Sequence, residues 1–167
     1  MPSAFEEVWR PIDYDEAWTA FDSRFDFKPD YYERAMPAIR LPQDSVVVDL
    51  EPVVAEDGPR FASGFDAINA AALRAFVWLA GDEELVALDW QHQSFRYSPA
   101  QHALADVSWG VSVFPDGHYY VHTTPDLRWG TFGHPWQRSL TIWGEDLVSS
   151  LGVELLTWLP RHPLSPR

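Results

Sequence analysis

Apolar side chains recur every three or four residues in three long stretches of the chain, which is the spacing of a helix with one buried face. Two of these helices are predicted at Ser63–Ala80 and Glu145–Leu159. The third has an aromatic face, made of Tyr14, Trp18, Phe21 and Phe25. A shorter helix is predicted at Ala4–Arg10, because Ser3 and Glu6 have the spacing of a capping box.

Alternating or β-branched apolar runs predict strands in the rest of the chain. Pro115-Asp116-Gly117 predicts a tight turn between two of them, and the residues that follow, Gly130–Trp136, are predicted as a loop rich in aromatic and glycine residues. The predicted strands cover Ser45–Leu50, Leu85–Tyr97, Trp109–Phe114, His118–Thr124 and Gln137–Trp143.

Consecutive strands with short connections favour an antiparallel meander over alternating βαβ units. The predicted fold class is therefore α+β, an antiparallel sheet of about five strands with helices packed on one face. The helices expected to cover that face are Ser63–Ala80 and Glu145–Leu159. Residues 1–160 are predicted to form a single domain, and residues 161–167 a flexible C-terminal tail.

The net charge of −13, from 25 acidic and 12 basic residues, excludes the function classes that need a basic surface. Nucleic-acid backbones and anionic membranes both require lysine and arginine, so neither is an expected partner. An acidic surface suits a basic or cationic protein partner or a small cationic ligand. The N-terminal residues lack the pattern of a signal peptide, so a cytoplasmic location is expected.

The motif inventory removes several enzyme classes. The chain has no cysteine, and it lacks the nucleophile elbow of serine hydrolases, the P-loop, the H-E-x-x-H zinc motif and the dinucleotide-binding glycine pattern. His118 and His122 would lie about 13 Å apart on one strand, too far to share a metal ion. No metal and no cofactor are therefore predicted.

The residues that could carry chemistry concentrate in the second half of the chain. Imidazole titrates near neutral pH, and a carboxylate in a turn can assist it. The catalytic candidates are His92, Asp116, His118 and His134. The candidate binding residues are Trp109, Tyr120, His122, Trp129 and Trp136, whose three tryptophans are expected to form an aromatic wall.

Each candidate also has a structural interpretation, in which it only satisfies hydrogen bonds or fills the core. Asp116 at a turn apex is expected to bond its own backbone. Asp89 and His92 are expected to face opposite sides of a regular strand, so that they share no proton. If His118 has a partner from elsewhere in the chain, the candidates are His92 and His134.

Three motifs, L-D-W-Q-H-Q-S-F at Leu88–Phe95, F-P-D-G-H-Y-Y at Phe114–Tyr120 and G-T-F-G-H-P-W at Gly130–Trp136, occur in this order. Together they resemble a bacterial family of unknown function, number 2716. The turn of that family usually reads P-D-G-D-Y, and here His118 replaces the second acidic residue. The resemblance implies a single-domain bacterial protein and assigns no activity.

Three functions follow as hypotheses. The first is an acidic binding module that recognises a protein partner, in the manner of an immunity protein or antitoxin. The second is a small enzyme or ligand-binding protein with a His/Asp/Trp site in the C-terminal half. The third is a subunit that acts by oligomerising. A pocket between the Phe114–Tyr120 turn and the Gly130–Trp136 loop would favour the second hypothesis, and a flat acidic face the first.

Overall fold

The computed structural model describes residues 1–29 and 37–167, and within them the strands form one antiparallel sheet. The predicted irregular segment 29–44 lies partly outside this range. The strands are β1 (Trp9–Ile12), β2 (Ser45–Asp49), β3 (Leu85–Asp89), β4 (Ser94–Tyr97), β5 (Tyr120–Thr123), β6 (Gly130–His134) and β7 (Ser139–Trp143). Their order across the sheet is β1-β4-β3-β5-β6-β7-β2, so the sheet has seven strands where about five were predicted.

The four predicted helices are present with shifted boundaries, and two short helices, Glu51–Val54 and Pro99–Leu104, were not predicted. The capping box of Ser3 and Glu6 is formed, and the longest helix begins at Gly58, with Pro59 in its first turn, several residues before Ser63. A π-helical turn, Val148–Gly152, divides the last helix. The helices are α1 (Ala4–Val8), α2 (Tyr14–Phe25), α3 (Glu51–Val54), α4 (Gly58–Ala80), α5 (Pro99–Leu104), α6 (Glu145–Leu147) and α7 (Val153–Leu155). None of these described helices is long and apolar enough to cross a membrane.

Helices cover both faces of the sheet, which corrects the prediction of one covered face. Helix α4 and the C-terminal helices pack on one face with Leu140 and Ile142 of β7. The aromatic side of α2 packs on the other face, where the Phe25 ring lies 4.7 Å from that of Trp143. The central strands carry apolar side chains in both directions, so each face needs its own cover.

Two of the predicted strands are wrong in position. The run Leu85–Tyr97 is a hairpin rather than one strand, because the chain turns after Asp89 and Gln91 has a φ of 67°. Trp109–Phe114 forms no strand. The backbone N–H groups of Val113 and Phe114 instead donate to the Asn69 side chain of α4. This segment therefore lies against α4, beside the end of the sheet.

Most of the loop predicted at Gly130–Trp136 is strand β6 (Gly130–His134), which lies inside the sheet between β5 and β7. Its glycines permit close packing, since a Cβ on Gly130 would lie 2.4 Å from the carbonyl oxygen of His122. A Cβ on Gly133 would lie 2.8 Å from Pro115. The turn at Pro115 is thus in direct contact with β6 at Gly133, where no open space is left between them.

The C-terminal residues, predicted as a flexible tail, lie along β2. Arg161 bridges Val48, and the N–H of His162 donates to the carbonyl oxygen of Val47 at 2.8 Å. The N–H of Val47 donates to the Ser165 hydroxyl at 3.0 Å. These residues thereby cover the edge of the outer strand β2, whose backbone groups would otherwise lack partners on that side.

Candidate functional site

Five polar side chains meet at one end of the sheet. Asp89, the last residue of β3, lies opposite Tyr120, the first residue of β5, because the two strands pair in antiparallel register. The β3–β4 hairpin and the turn before β5 bring further side chains to the same end. We call this group the polar cluster; it consists of Asp89, His92, Asp116, His118 and Tyr120.

Asp89 and His92 are paired, contrary to the expectation that they face opposite sides. The Asp89 Oδ1 atom lies 3.0 Å from the His92 Nδ1 atom. The strand ends at Asp89 and the chain turns at Gln91, so the side-chain alternation of a strand does not extend to His92. The Asp89 side chain is only 18% exposed, whereas that of His92 is 53% exposed. The carboxylate therefore orients an accessible imidazole.

His118 stacks edge-on against His92, with ring centroids 4.5 Å apart. Of its two candidate partners, the structure thus brings His92 to it and leaves His134 on the other face of the sheet. The His118 Nδ1 atom is buried and has no hydrogen-bond partner within the described residues. The cluster therefore contains one nitrogen whose hydrogen-bonding capacity is unused there.

Asp116 and Tyr120 form the second pair of the cluster. The Tyr120 hydroxyl donates to the Asp116 Oδ1 atom at 2.7 Å. Burial first, and then the Asp116 carboxylate, raise the pKa of Tyr120 far above its usual value, so the hydroxyl stays protonated as a donor. This bond adds a side-chain partner to Asp116, beyond the backbone bonds expected of a turn aspartate.

The two carboxylates of the cluster repel each other. Burial raises the pKa of Asp89, the hydrogen bond and charge of His92 and then the charge of His118 lower it, and the nearby Asp116 raises it by the smallest amount. Among the described residues, no lysine or arginine pairs with either carboxylate. This end of the sheet therefore concentrates negative charge beside partly buried groups.

A cleft of about 390 Å³ opens beside these carboxylates. The cleft is lined by Asp89, Asp116 and Tyr120 of the polar cluster, by the segment Ser108–Ser112 and by Phe65 of α4. Trp109 is among the lining residues, and its ring also packs against those of His102 and His122 at 4.5 and 5.7 Å. The lining thus includes two carboxylates and a tryptophan, and carboxylates and aromatic rings are groups that attract a cation.

His122, predicted as a binding residue, lies in the core beneath α4. Its Nε2–H donates to the carbonyl oxygen of Ser112 at 3.2 Å, and its Nδ1 accepts from the Tyr97 hydroxyl at 2.8 Å. The ring stacks on Phe76 at 5.7 Å. Burial lowers the pKa of His122 to about 4. The described contacts give His122 a structural role.

His134, Trp129 and Trp136 lie away from the cluster. His134 is 1% exposed; its Nδ1 accepts from the N–H of Gln137 at 3.0 Å. Trp136 packs on Tyr119 at 5.1 Å on the α2 side of the sheet. Trp129 packs on Phe76 on the α4 side. The tryptophans therefore do not form the single wall expected from the sequence, and only Trp109 reaches the cleft.

Sequence reasoning left Asp89 and Phe65 out of the site. Phe65 lies on the predicted helix Ser63–Ala80, which was expected only to cover the sheet, and it lines the cleft as well. Asp89 could have been found from its position three residues before His92. This spacing occurs in a tight turn as well as in a strand, and a turn brings the two side chains together. No group of three or more metal-binding side chains occurs in the described part of the chain.

These features define the class of the protein: an α+β domain with one antiparallel sheet covered on both faces and an acidic cleft at one end. The chain belongs to the family described as "Protein of unknown function (DUF2716)", whose model matches residues 10–148.

One curated relative is an uncharacterised protein, YxiI, of Bacillus subtilis (strain 168), to which this chain is 37% identical over 87 residues. That match covers 50% of this chain and 54% of the relative, so the chain spans about half the length of the relative. No solved structure matches the chain.

Proposed function

We propose that this protein is an acidic binding module that recognises a lysine or arginine side chain of a basic protein partner in the cleft at the polar cluster. The observation that carries the proposal is the pair of carboxylates, Asp89 and Asp116, which line one cleft. His92 contacts Asp89, but no described lysine or arginine pairs with either carboxylate. A bound cation would relieve the repulsion between them.

The surroundings of the cleft support a cationic group over a neutral one. Trp109 lines the cleft, and tryptophan rings bind ammonium and guanidinium groups by cation–π attraction. The net charge of −13 steers basic partners toward the protein and raises the association rate at low salt. A module of this kind would act like an immunity protein or antitoxin, by covering a basic surface of its partner in the cytoplasm.

Loss of both carboxylates is expected to weaken binding of a lysine- and arginine-rich peptide about tenfold. Each exposed charge pair contributes up to about 1 kcal/mol, and 1.4 kcal/mol corresponds to tenfold in affinity. The variant carries Asp89→Asn and Asp116→Asn, and isothermal titration calorimetry measures its dissociation constant.

The matched control is Asp44→Asn with Asp82→Asn, which removes the same charge from two exposed positions away from the cleft. We expect this control to bind the peptide within about twofold of the wild type, because surface charges beyond a Debye length act weakly. An equal loss in both double variants would mean that overall charge, and not the cleft, binds the peptide.

A second candidate function, a small enzyme or ligand-binding protein, is supported by the Asp89–His92 pair. A carboxylate held against one ring nitrogen orients the imidazole and leaves the other nitrogen for proton transfer. A thermal-shift screen against amines and nucleotides distinguishes the two functions. A ligand whose stabilising effect is lost in His92→Gln but kept in Asp116→Asn would favour the second candidate.

A further inference from the structure

A second cleft lies on the opposite face of the sheet, between helix α2 and the central strands. It has a volume of about 270 Å³ and an apolar floor that includes Val86, Leu88 and Leu127. Three charged side chains, Asp13, Glu16 and Arg96, stand around this floor. We call this cleft the α2 groove. None of its lining residues belongs to the polar cluster, although Leu88 is next to Asp89 in the chain.

Arg96 is the cation of the α2 groove, and it is not neutralised by the described residues. It lies in register with Arg10 on β1 and with Val86 on β3. The Arg10 guanidinium pairs with Glu84, whereas no ion pair joins Arg96 to a described carboxylate. Of two neighbouring arginines, one is therefore committed to a structural ion pair and the other presents its charge to the groove.

The α2 groove also carries negative charge, held apart from Arg96. Asp13 caps α2, and its Oδ1 accepts from the N–H of Glu16 at 3.0 Å, which fixes the position of this carboxylate. Glu16 lines the groove one turn into the helix. One positive and two negative groups thus face a common apolar floor without pairing to one another.

We propose that the α2 groove binds a small zwitterion with an apolar side chain, of which an aliphatic amino acid is the simplest. Arg96 would bind the carboxylate through its planar pair of N–H donors, and Asp13 and Glu16 would bind the ammonium group. Val86 and Leu88 would cover the apolar side chain. Pockets for drug-sized ligands begin at about 300 Å³, so a groove slightly below that size suits a ligand this small.

This inference is independent of the proposed function, because the two clefts use different charged residues on opposite faces of the sheet. The variant with Asp89→Asn and Asp116→Asn should therefore bind an amino acid as the wild type does. Loss of amino-acid binding in that variant would contradict the assignment of the zwitterion to the α2 groove.

The test is calorimetric titration with leucine, with leucinamide, which lacks the carboxylate, and with 4-methylpentanoate, which lacks the ammonium group. We expect saturable binding of leucine and at least tenfold weaker binding of both analogues. Arg96→Gln should weaken leucine binding at least tenfold, whereas the neighbouring variant Arg10→Gln, outside the groove, should leave it unchanged.

Three results would overturn the proposal. One is no saturable binding of leucine, methionine or phenylalanine up to about 10 mM, a concentration that detects even millimolar affinity. Another is equal binding of leucine and its two analogues, which would show that the charged side chains of the groove do not bind the carboxylate and the ammonium group of leucine. The last is an equal loss in Arg96→Gln and Arg10→Gln, which would indicate a general effect on the sheet.

Discussion

Replacing Asn69 by leucine is expected to lower the free energy of unfolding by about 2–6 kcal/mol, the largest effect among our predicted variants. Asn69 is 3% exposed, and its Oδ1 accepts from the N–H groups of Val113 and Phe114 at 2.9 and 3.0 Å. Leucine has a similar shape but accepts no hydrogen bond. Each buried N–H left unpaired costs about 1–3 kcal/mol.

The same substitution should disturb the cleft, because Asn69 fixes the segment that lines it and leads into Asp116. Urea unfolding followed by tryptophan fluorescence measures the loss of stability. Ser112→Ala is the control, since it removes only the side-chain bond to Asn69 and should cost about 1 kcal/mol. Equal costs for both variants would mean that the two backbone bonds contribute little.

Acid is expected to destabilise the protein by about 3 kcal/mol through His122 alone. Its pKa is about 4 in the folded state and 6.5 in the unfolded chain, so the unfolded state takes up the proton first as the pH falls. The contribution is fully present above pH 6.5 and is lost as the pH falls from about 6.5 to 4, at about 1.4 kcal/mol per unit. Burial also lowers the pKa of His102, so protonation of His102 destabilises the folded state in acid as well.

Unfolding free energies measured at several pH values between about 7 and 4.5 test this effect. The variant His122→Gln keeps a polar side chain but cannot titrate in this pH range. The slope of its unfolding free energy against pH should therefore be smaller than that of the wild type, by up to about 1.4 kcal/mol per pH unit, which is the contribution of one proton. It should also be less stable at neutral pH, because Tyr97 loses its acceptor. An unchanged pH dependence in His122→Gln would show that His122 is not the responsible group.

The sequence predicted the helices better than the strands, and the reason is visible in particular residues. The aromatic spacing of α2 and the capping box of α1 are local patterns, and both are present. The hairpin at Gln91 and the strand β6 depend on distant partners. In the sequence, Gly130 and Gly133 are typical of a loop. In the structure they lie in a strand, because Trp143 and Pro115 pack where a side chain would be.

The candidate site was predictable only in part, for the same physical reason. His92, Asp116, His118 and Tyr120 were named from residue type, and the structure brings them together with Asp89. His122 and His134 were named on the same grounds, but they lie in the core on opposite faces of the sheet. Whether an imidazole is buried depends on the face of the sheet to which its strand residue points. That face follows from the strand boundaries, which the sequence did not predict correctly.

The central claim, that the cleft at the polar cluster receives a cationic side chain, is tested most directly by a nuclear magnetic resonance titration with a lysine- and arginine-rich peptide. The account predicts chemical-shift changes concentrated at Asp89, Asp116, Tyr120 and the segment 108–112, including the indole N–H of Trp109. Saturable binding with shifts scattered over the acidic surface, or with none at the cleft, would contradict it.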